Sequence, residues 1–352
     1  MSARVLIVRL GALGDIVLAL PAVEALKRAR PEWRLSWLVE ARHRAILEHH
    51  PAIDELITFD SYAWRLRWHS PGTWREIAAT VRGLRARRFD LAFDLQGLFK
   101  SAAWTWLAGA HKARGLPGPA WREPLAHLFV RPAAVQAPRH GSDLAWSAIA
   151  ATLDLAPGEL APPHIALTPE ERAAMDARLA ASGLRDFVVL NPGGGWVTKL
   201  WPLARFERLG RALLAATPLA IFVAVGPGEE AMARTLLASW SSPRAVCFAT
   251  SVREYAALVA RARLFVGSDT GPYHIARAMG TATLGLFGPT DPERNGPRFG
   301  EGEVLWGKVK CSPCYLRTCP THIECMDALA PEAVIDAVRA VLGRAEELPP
   351  LG

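Results

Sequence analysis

No apolar run in this 352-residue sequence approaches the roughly 18 residues that a membrane-spanning helix needs. Val5-Leu6-Ile7-Val8 is too short for a signal-peptide core, and Asp15 interrupts the next apolar stretch, so a cytoplasmic chain is expected. The turn after that first run reads Gly11-Ala12-Leu13-Gly14, a GxxG, and the dinucleotide fingerprint GxGxxG is missing there. The GxxxxGKS/T of a Walker loop is absent, and no DxD motif is visible. No repeat of fixed period and no low-complexity tract occurs, which excludes solenoids and propellers. No recognition-helix, OB or RRM pattern is present, which argues against nucleic acid as a partner. Cysteine is scarce outside one cluster. Of five, only Cys247 stands apart, in the apolar Ala245-Val246-Cys247-Phe248, where a core thiol is expected.

What is present is a long, core-rich, basic chain. Hydrophobic residues make up 51% and charged residues 21%, enough core for two ordinary domains. A formal charge of +7 favours an anionic partner such as a nucleotide or an anionic membrane surface. The first half alternates strand and helix. Strands are expected at 4–8, 35–40, 54–59 and 91–95, with helices at 16–29 and 76–87. A Pro-rich stretch at 156–163 reads as a linker, after which the alternation restarts. Strands are expected at 187–190, 219–225, 264–266 and 283–287, with helices at 204–216 and 331–342. The pattern predicts an α/β protein with parallel sheets in two domains, 1–160 and 161–330, facing a central cleft. A terminal segment, 331–352, is expected to pack its helix back on the first domain.

The most telling segment is Gly267-Ser268-Asp269-Thr270-Gly271-Pro272-Tyr273-His274, a polar turn between a buried strand and a helix. It sets a carboxylate, a hydroxyl, an imidazole and backbone N–H groups at a helix N-terminus, which suits a phosphate with sugar hydroxyls beside it. The plainer reading makes Thr270 a helix cap and Asp269 a partner of the helix dipole. Asp15 ends the first turn and is either a general base or the cap of the helix from Ile16. Asn191-Pro192-Gly193-Gly194-Gly195-Trp196-Val197-Thr198-Lys199 combines flexible glycines with a hydroxyl and an ammonium, a set that can hold an anion; a lone Lys199 would otherwise be a solvated side chain. Trp64-Arg65-Leu66-Arg67-Trp68 interleaves aromatics with cations, as an anionic headgroup surface requires. Cys311, Cys314, Cys319 and Cys325 are either ligands for zinc or iron or reduced thiols in a turn-rich loop.

Taken together, the motifs resemble those of the ADP-heptose:lipopolysaccharide heptosyltransferases, glycosyltransferase family 9, which have the GT-B fold of two Rossmann-like domains. The likeness rests on the segments 5–17, 37–40, Asp94-Leu95-Gln96-Gly97-Leu98-Phe99-Lys100-Ser101, Arg122-Glu123-Pro124-Leu125-Ala126, the Lys199 loop, Ser268–Gly271 with His274, and Gly288-Pro289-Thr290-Asp291-Pro292. Segments 96–101 and 122–126 are most similar to the heptosyltransferase I branch. The Asn-Pro-Gly-Gly-Gly loop departs from that branch. The four-cysteine loop is more like heptosyltransferase II and protein heptosyltransferases, some of which bind iron there.

The resemblance implies an inverting transfer of heptose from ADP-heptose to the Kdo of Kdo2-lipid A, at the inner face of the cytoplasmic membrane and with no cofactor required. It implies Asp15 as the base. Lys199, Thr198, Glu230 (or its neighbour Glu229), Asp269, Thr270, Gly271 and His274 would bind the donor, with Glu230 at the ribose. Arg65, Arg67, Lys100 and Arg122 would face the anionic acceptor. Three other readings stay open: an acceptor that is a heptosylated core or a protein, a sugar-nucleotide epimerase of the same architecture, and a non-catalytic nucleotide-binding or membrane-surface module.

Overall fold

Val5-Leu6-Ile7-Val8 and Phe187-Val188-Val189-Leu190 are apolar at every position. Only a strand covered on both faces can bury such a run, so each belongs inside a parallel sheet lined by helices. A computed structural model describes residues 2–156, 159–300 and 302–346 and divides the chain into two compact units, Met1–Ala166 and Leu167–Gly352. The first sheet is built from β1 (Arg4–Val8), β2 (Arg34–Glu40), β3 (Glu55–Phe59), β4 (Leu91–Asp94), β5 (Lys112–Pro117) and β6 (Arg131–Ala133), in the order β3-β2-β1-β4-β5-β6. The second is built from β7 (Phe187–Asn191), β8 (Ala220–Val223), β9 (Ala245–Val246), β10 (Leu264–Ser268), β11 (Thr283–Phe287) and β12 (Gly302–Trp306), in the order β12-β11-β10-β7-β8-β9. All pairings are parallel. Each order is the doubly wound 3-2-1-4-5-6, read from opposite edges. Its direction reverses between β1 and β4 in one unit and between β7 and β10 in the other, and ligands bind outside the carboxyl ends of strands at such a reversal.

The short strands escape a reading by periodicity. β5 (Lys-Ala-Arg-Gly-Leu-Pro) and β6 (Arg-Pro-Ala) carry charge, Gly and Pro, and pairing with their neighbours makes them strands. The helix Leu13–Ala29 starts three residues before the expected Ile16. Asp15 therefore lies inside its first turn, and Ala12 holds the cap position without a side-chain bond. The Pro-rich stretch is only partly a connector. Leu160 and Ile165 are buried within the first unit, while Pro157 and Gly158 lie outside the described residues.

The last helix, Pro331–Glu346, finds its core in the second unit. Its Val334, Val338 and Val341 join Val266, Leu284 and Leu286 there. Residues 347–352 of that segment lie outside the described residues. The apolar stripe every four residues finds its complement where Trp201 Nε1 also donates to Leu329 O at 2.9 Å. Val338→Ala should lower the unfolding free energy by about 2 kcal/mol, whereas Asp336→Ala on the exposed face should change it by less than about 0.5 kcal/mol. Urea titration of the two variants checks this; equal, small effects would detach the helix from the core.

Candidate active site

In the first unit the reversal between β1 and β4 is occupied by a charged cluster. Arg9, the residue after β1, is buried. Its Nη2 pairs with Asp15 Oδ1 at 2.9 Å and its Nη1 donates to Leu95 O, just past β4. The Asp15 side chain keeps about a quarter of its surface exposed. Arg9 thus orients Asp15 at the mouth of the sheet, so the carboxylate is not the helix cap that its position in sequence allowed. The turn is fixed from both sides: Gln96 Oε1 accepts from Leu10 N at 2.7 Å, and Trp37 Nε1 donates to Arg9 O at 3.1 Å. Gln96 is itself held by Asp94, whose Oδ1 accepts from Gln96 N and Gly97 N while Oδ2 accepts from Ser101 Oγ at 3.0 Å. Gly97 takes φ 71°, which a side chain would strain. Arg9 is the residue here that sequence reading missed. An arginine after a strand has no signal of its own until its two partners are placed.

Beside this cluster lies a cavity of about 360 Å³ lined by Glu40, Arg42, Ser61, Tyr62, Arg65 and Lys100. It brings Arg65 and Lys100 together, as expected for an anion site, and adds Arg42. Lys100 Nζ contacts Glu40 Oε1 and Ser61 Oγ, and Glu40 is buried at the end of β2. Arg67 is not brought in. It reaches Glu76 Oε2 at 3.4 Å instead. Arg122 is exposed, and its backbone N donates to Gly97 O at 3.2 Å. Trp64 is not a surface residue, because it stacks on Phe59 in the core and donates to Glu76 at 2.8 Å.

In the second unit the reversal between β7 and β10 gathers the glycine loop and the start of the helix Gly271–Ala278. Thr270 holds the cap position, but no side chain caps this helix. The Thr270 hydroxyl instead contacts Asn191 Oδ1 and Ser268 O, which leaves the helix end suited to an anion. Lys199 is no solvated side chain. Its Nζ donates to Asp269 O at 2.7 Å and Asp269 Oδ2 at 3.0 Å, and lies 4.6 Å from the Trp196 ring centroid. The loop's glycines are demanded by close approach: a Cβ on Gly193 would collide with the Glu229 carboxylate, and one on Gly194 would stand 2.8 Å from Thr270 Cγ2.

Four residues in this unit have partners that the sequence did not show. Asp269 is only 3% exposed. Its carboxylate accepts from His274 Nε2 at 2.9 Å, Lys199 at 3.0 Å and Asn295 Nδ2 at 3.0 Å. Burial by itself would raise its pKa, but the His274 bond and the Lys199 charge hold the carboxyl well below the usual range. A buried charge must be so satisfied, and these bonds make Asp269 a buttress of Lys199. His274 lies behind it. Burial lowers its pKa, so a neutral ring donates through Nε2. The Thr198 hydroxyl donates to Leu316 O at 2.7 Å. Glu230 turns outward to the Gly228 N–H, and Glu229 is the carboxylate at the loop, accepting from Gly194 N and Gly226 N at 2.8 Å each.

The four-cysteine loop does not fit a metal. Among the described residues no three His, Cys, Asp or Glu side chains converge on one point, and Cys311, Cys314, Cys319 and Cys325 are free thiols. Cys319 Sγ donates to His322 O at 3.1 Å, which requires its proton. Burial, and after it the neighbouring Cys314 and Cys311, push the Cys325 thiol up, away from the thiolate that a ligand must be.

Two doubly wound units, one presenting an oriented carboxylate and the other an anion-binding loop with a lysine, define a glycosyltransferase of the GT-B class. Residues 77–323 match glycosyltransferase family 9 (heptosyltransferase), and the chain belongs to that family. Lipopolysaccharide heptosyltransferase 1 of Pseudomonas aeruginosa is 31% identical over 365 residues, which cover 98% of this chain and 99% of that protein. Escherichia coli heptosyltransferase WaaC, solved with ADP-2-deoxy-2-fluoro heptose, superposes with a TM-score of 0.75 at 26% identity, covering 96% of this chain and 99% of that one. The family 9 glycosyltransferase of Veillonella parvula reaches a TM-score of 0.83 at 21% identity, covering 98% of both chains, and shares the fold.

Asp94 supplies a pH test of the first cluster. Burial raises its carboxyl from 3.8 to about 6, against lowering by the N–H groups of Gln96 and Gly97, the Ser101 hydroxyl and the Arg9 charge. Between about pH 4 and about pH 6 the folded chain therefore binds more protons than the unfolded one, and stability falls as pH rises through that window. Asn at 94 keeps an acceptor for the two N–H groups and removes the titration. Relative to wild type, Asp94→Asn should gain about 3 kcal/mol as pH rises across the window. Urea unfolding at several pH values measures it; a flat difference would show Asp94 titrating like an exposed carboxyl.

Proposed function

We propose that the protein transfers heptose, with inversion, from ADP-heptose to the Kdo sugar of Kdo2-lipid A in assembly of the lipopolysaccharide inner core. One observation carries the reading. Lys199, buttressed by Asp269, and the uncapped helix end at Thr270–Gly271 meet at the strand reversal of the second unit, in a family whose member WaaC was solved with an ADP-heptose analogue. The full-length likeness to a lipopolysaccharide heptosyltransferase 1 supports the acceptor.

In this reaction the acceptor hydroxyl oxygen attacks the anomeric carbon of the heptose as the bond to the diphosphate oxygen breaks. The proton passes to Asp15, and the bonding electron pair leaves with ADP. Arg9 holds one Asp15 oxygen and so orients the other to take the proton. Lys199 and the helix N-terminus meet the charge that grows on the leaving diphosphate, where fixed dipoles act most strongly. Arg65, Lys100 and Arg42 around the 360 Å³ cavity suit the carboxylate or phosphate groups of the acceptor. Mass spectrometry of products from ADP-heptose, offered with Kdo2-lipid A or with heptosylated lipid A, decides the acceptor. One added heptose on the first substrate alone is expected. Asp15→Ala should cut turnover by about 100-fold with the fold intact; near-normal turnover would remove Asp15 from the role of base.

We also propose that the protein works at the inner face of the cytoplasmic membrane. No described helix is long and apolar enough to cross one. Tyr62, Leu66, Trp68 and Trp74 expose large apolar surface beside Arg65, and Trp74 Nε1 donates to Trp68 O at 2.9 Å. Trp and Arg together suit a headgroup layer. Binding to anionic vesicles should weaken as salt rises, because the Debye length falls from about 10 Å at 0.1 M to about 3 Å at 1 M. Arg65→Ala should raise the acceptor KM and leave ADP affinity unchanged; the reverse pattern would move Arg65 to the donor side.

A further inference from the structure

The segment from Cys314 to Cys319 is fastened at four points, three on the turn Pro289–Asp291 and one on Thr198 of the Lys199 segment. Cys314 N and Tyr315 N donate to Pro289 O at 3.1 and 2.9 Å, Tyr315 OH accepts from Asp291 N at 3.2 Å, and Leu316 O accepts from Thr198 at 2.7 Å. Tyr315 is held at φ 55°, a left-handed backbone that a tyrosine adopts only when its surroundings impose it. The next residue but one, Arg317, is thereby set over Trp196, its guanidinium carbon 5.0 Å from the ring centroid. Lys199 Nζ stands 4.6 Å from the same centroid. One indole therefore carries two cations.

The two cations are not equivalent. Lys199 spends two bonds and much of its charge on Asp269. Arg317 is exposed and has no hydrogen-bond or ion-pair partner among the described residues. The carboxylate of Glu229 also faces the glycine loop. Asp269 takes up much of the Lys199 charge and Glu229 lies at the same loop, so a further positive charge there favours a diphosphate. An uncommitted guanidinium supplies it, with a planar fork that matches phosphate oxygens two at a time.

We propose that Arg317 is a second phosphate-binding residue of the donor site, delivered by the cysteine-flanked loop and held ready on Trp196. This rests on the reading of the donor as a nucleoside-diphosphate sugar, but it concerns the diphosphate and not the base or the sugar. The full-length protein, with Arg317→Ala and Arg317→Lys, should be titrated calorimetrically with ADP, UDP and inorganic pyrophosphate. Adenosine is measured as a competitor, and thermal melting checks the fold. Arg317→Ala should weaken the tightest diphosphate by about tenfold, Arg317→Lys should lie between it and wild type, and adenosine affinity should not move. Unchanged diphosphate affinity in both variants would overturn the proposal. So would an equal loss for adenosine, which would mean only that the loop had shifted. If wild type prefers UDP and Arg317→Ala weakens UDP, the assignment of ADP-heptose falls and the role of Arg317 stands.

Discussion

The parallel pairing of β1 with β4, and of β7 with β10, is the constraint on which the rest depends. A parallel sheet must be covered on both faces, so its connections cross over one face or the other, and the direction of crossing reverses once in each unit. At that reversal two loops diverge and leave room above the sheet. The first unit puts Arg9 and Asp15 on one loop and Asp94, Leu95 and Gln96 beside the other. The second puts Asn191–Lys199 on one and Asp269–Gly271 on the other. The chemistry lies where the backbone topology makes space.

Both sites use the same electrostatic device in opposite senses. In the first unit a buried arginine orients a carboxylate about a quarter exposed. In the second a buried carboxylate orients a mostly covered lysine. The less exposed partner is held by charge-assisted hydrogen bonds in each case, and the more exposed partner keeps part of its surface open. Asp269 and His274, prominent in sequence, are bonded to one another, and Asp269 holds Lys199. A carboxylate with three polar donors at 2.9–3.0 Å is a support.

The cysteine-flanked loop gains a different meaning from the same contacts. Among the described residues no three metal-binding side chains converge there, and the loop's backbone is bonded to the Thr198 hydroxyl and to the turn at Pro289–Asp291. The spacing of four cysteines in fifteen residues draws attention to sulfur. The contacts draw it to Arg317 and Trp196, which composition does not single out.

The sequence by itself determined the α/β alternation, the two-unit organisation and the turns that carry chemistry, because apolar runs bounded by glycine-rich turns are local signals. Asp15, Lys199 and the Thr270 turn were all legible in this way. Only the tertiary structure decided which neighbour each side chain meets. Glu229 and Glu230 are adjacent and chemically alike, yet the start of the helix at Glu230 turns one toward the glycine loop and the other outward. The partners of Thr198 and Asp269 are invisible in the sequence, because Leu316, Asn295 and His274 arrive from residues far along the chain or a helical turn away. The last helix shows the same division. Its apolar stripe announces a buried face, but only packing against β10 and β11 reveals which core completes it. Hydrogen bonding and burial are satisfied between segments distant in sequence, so the identity of a partner is a property of the fold and not of the motif.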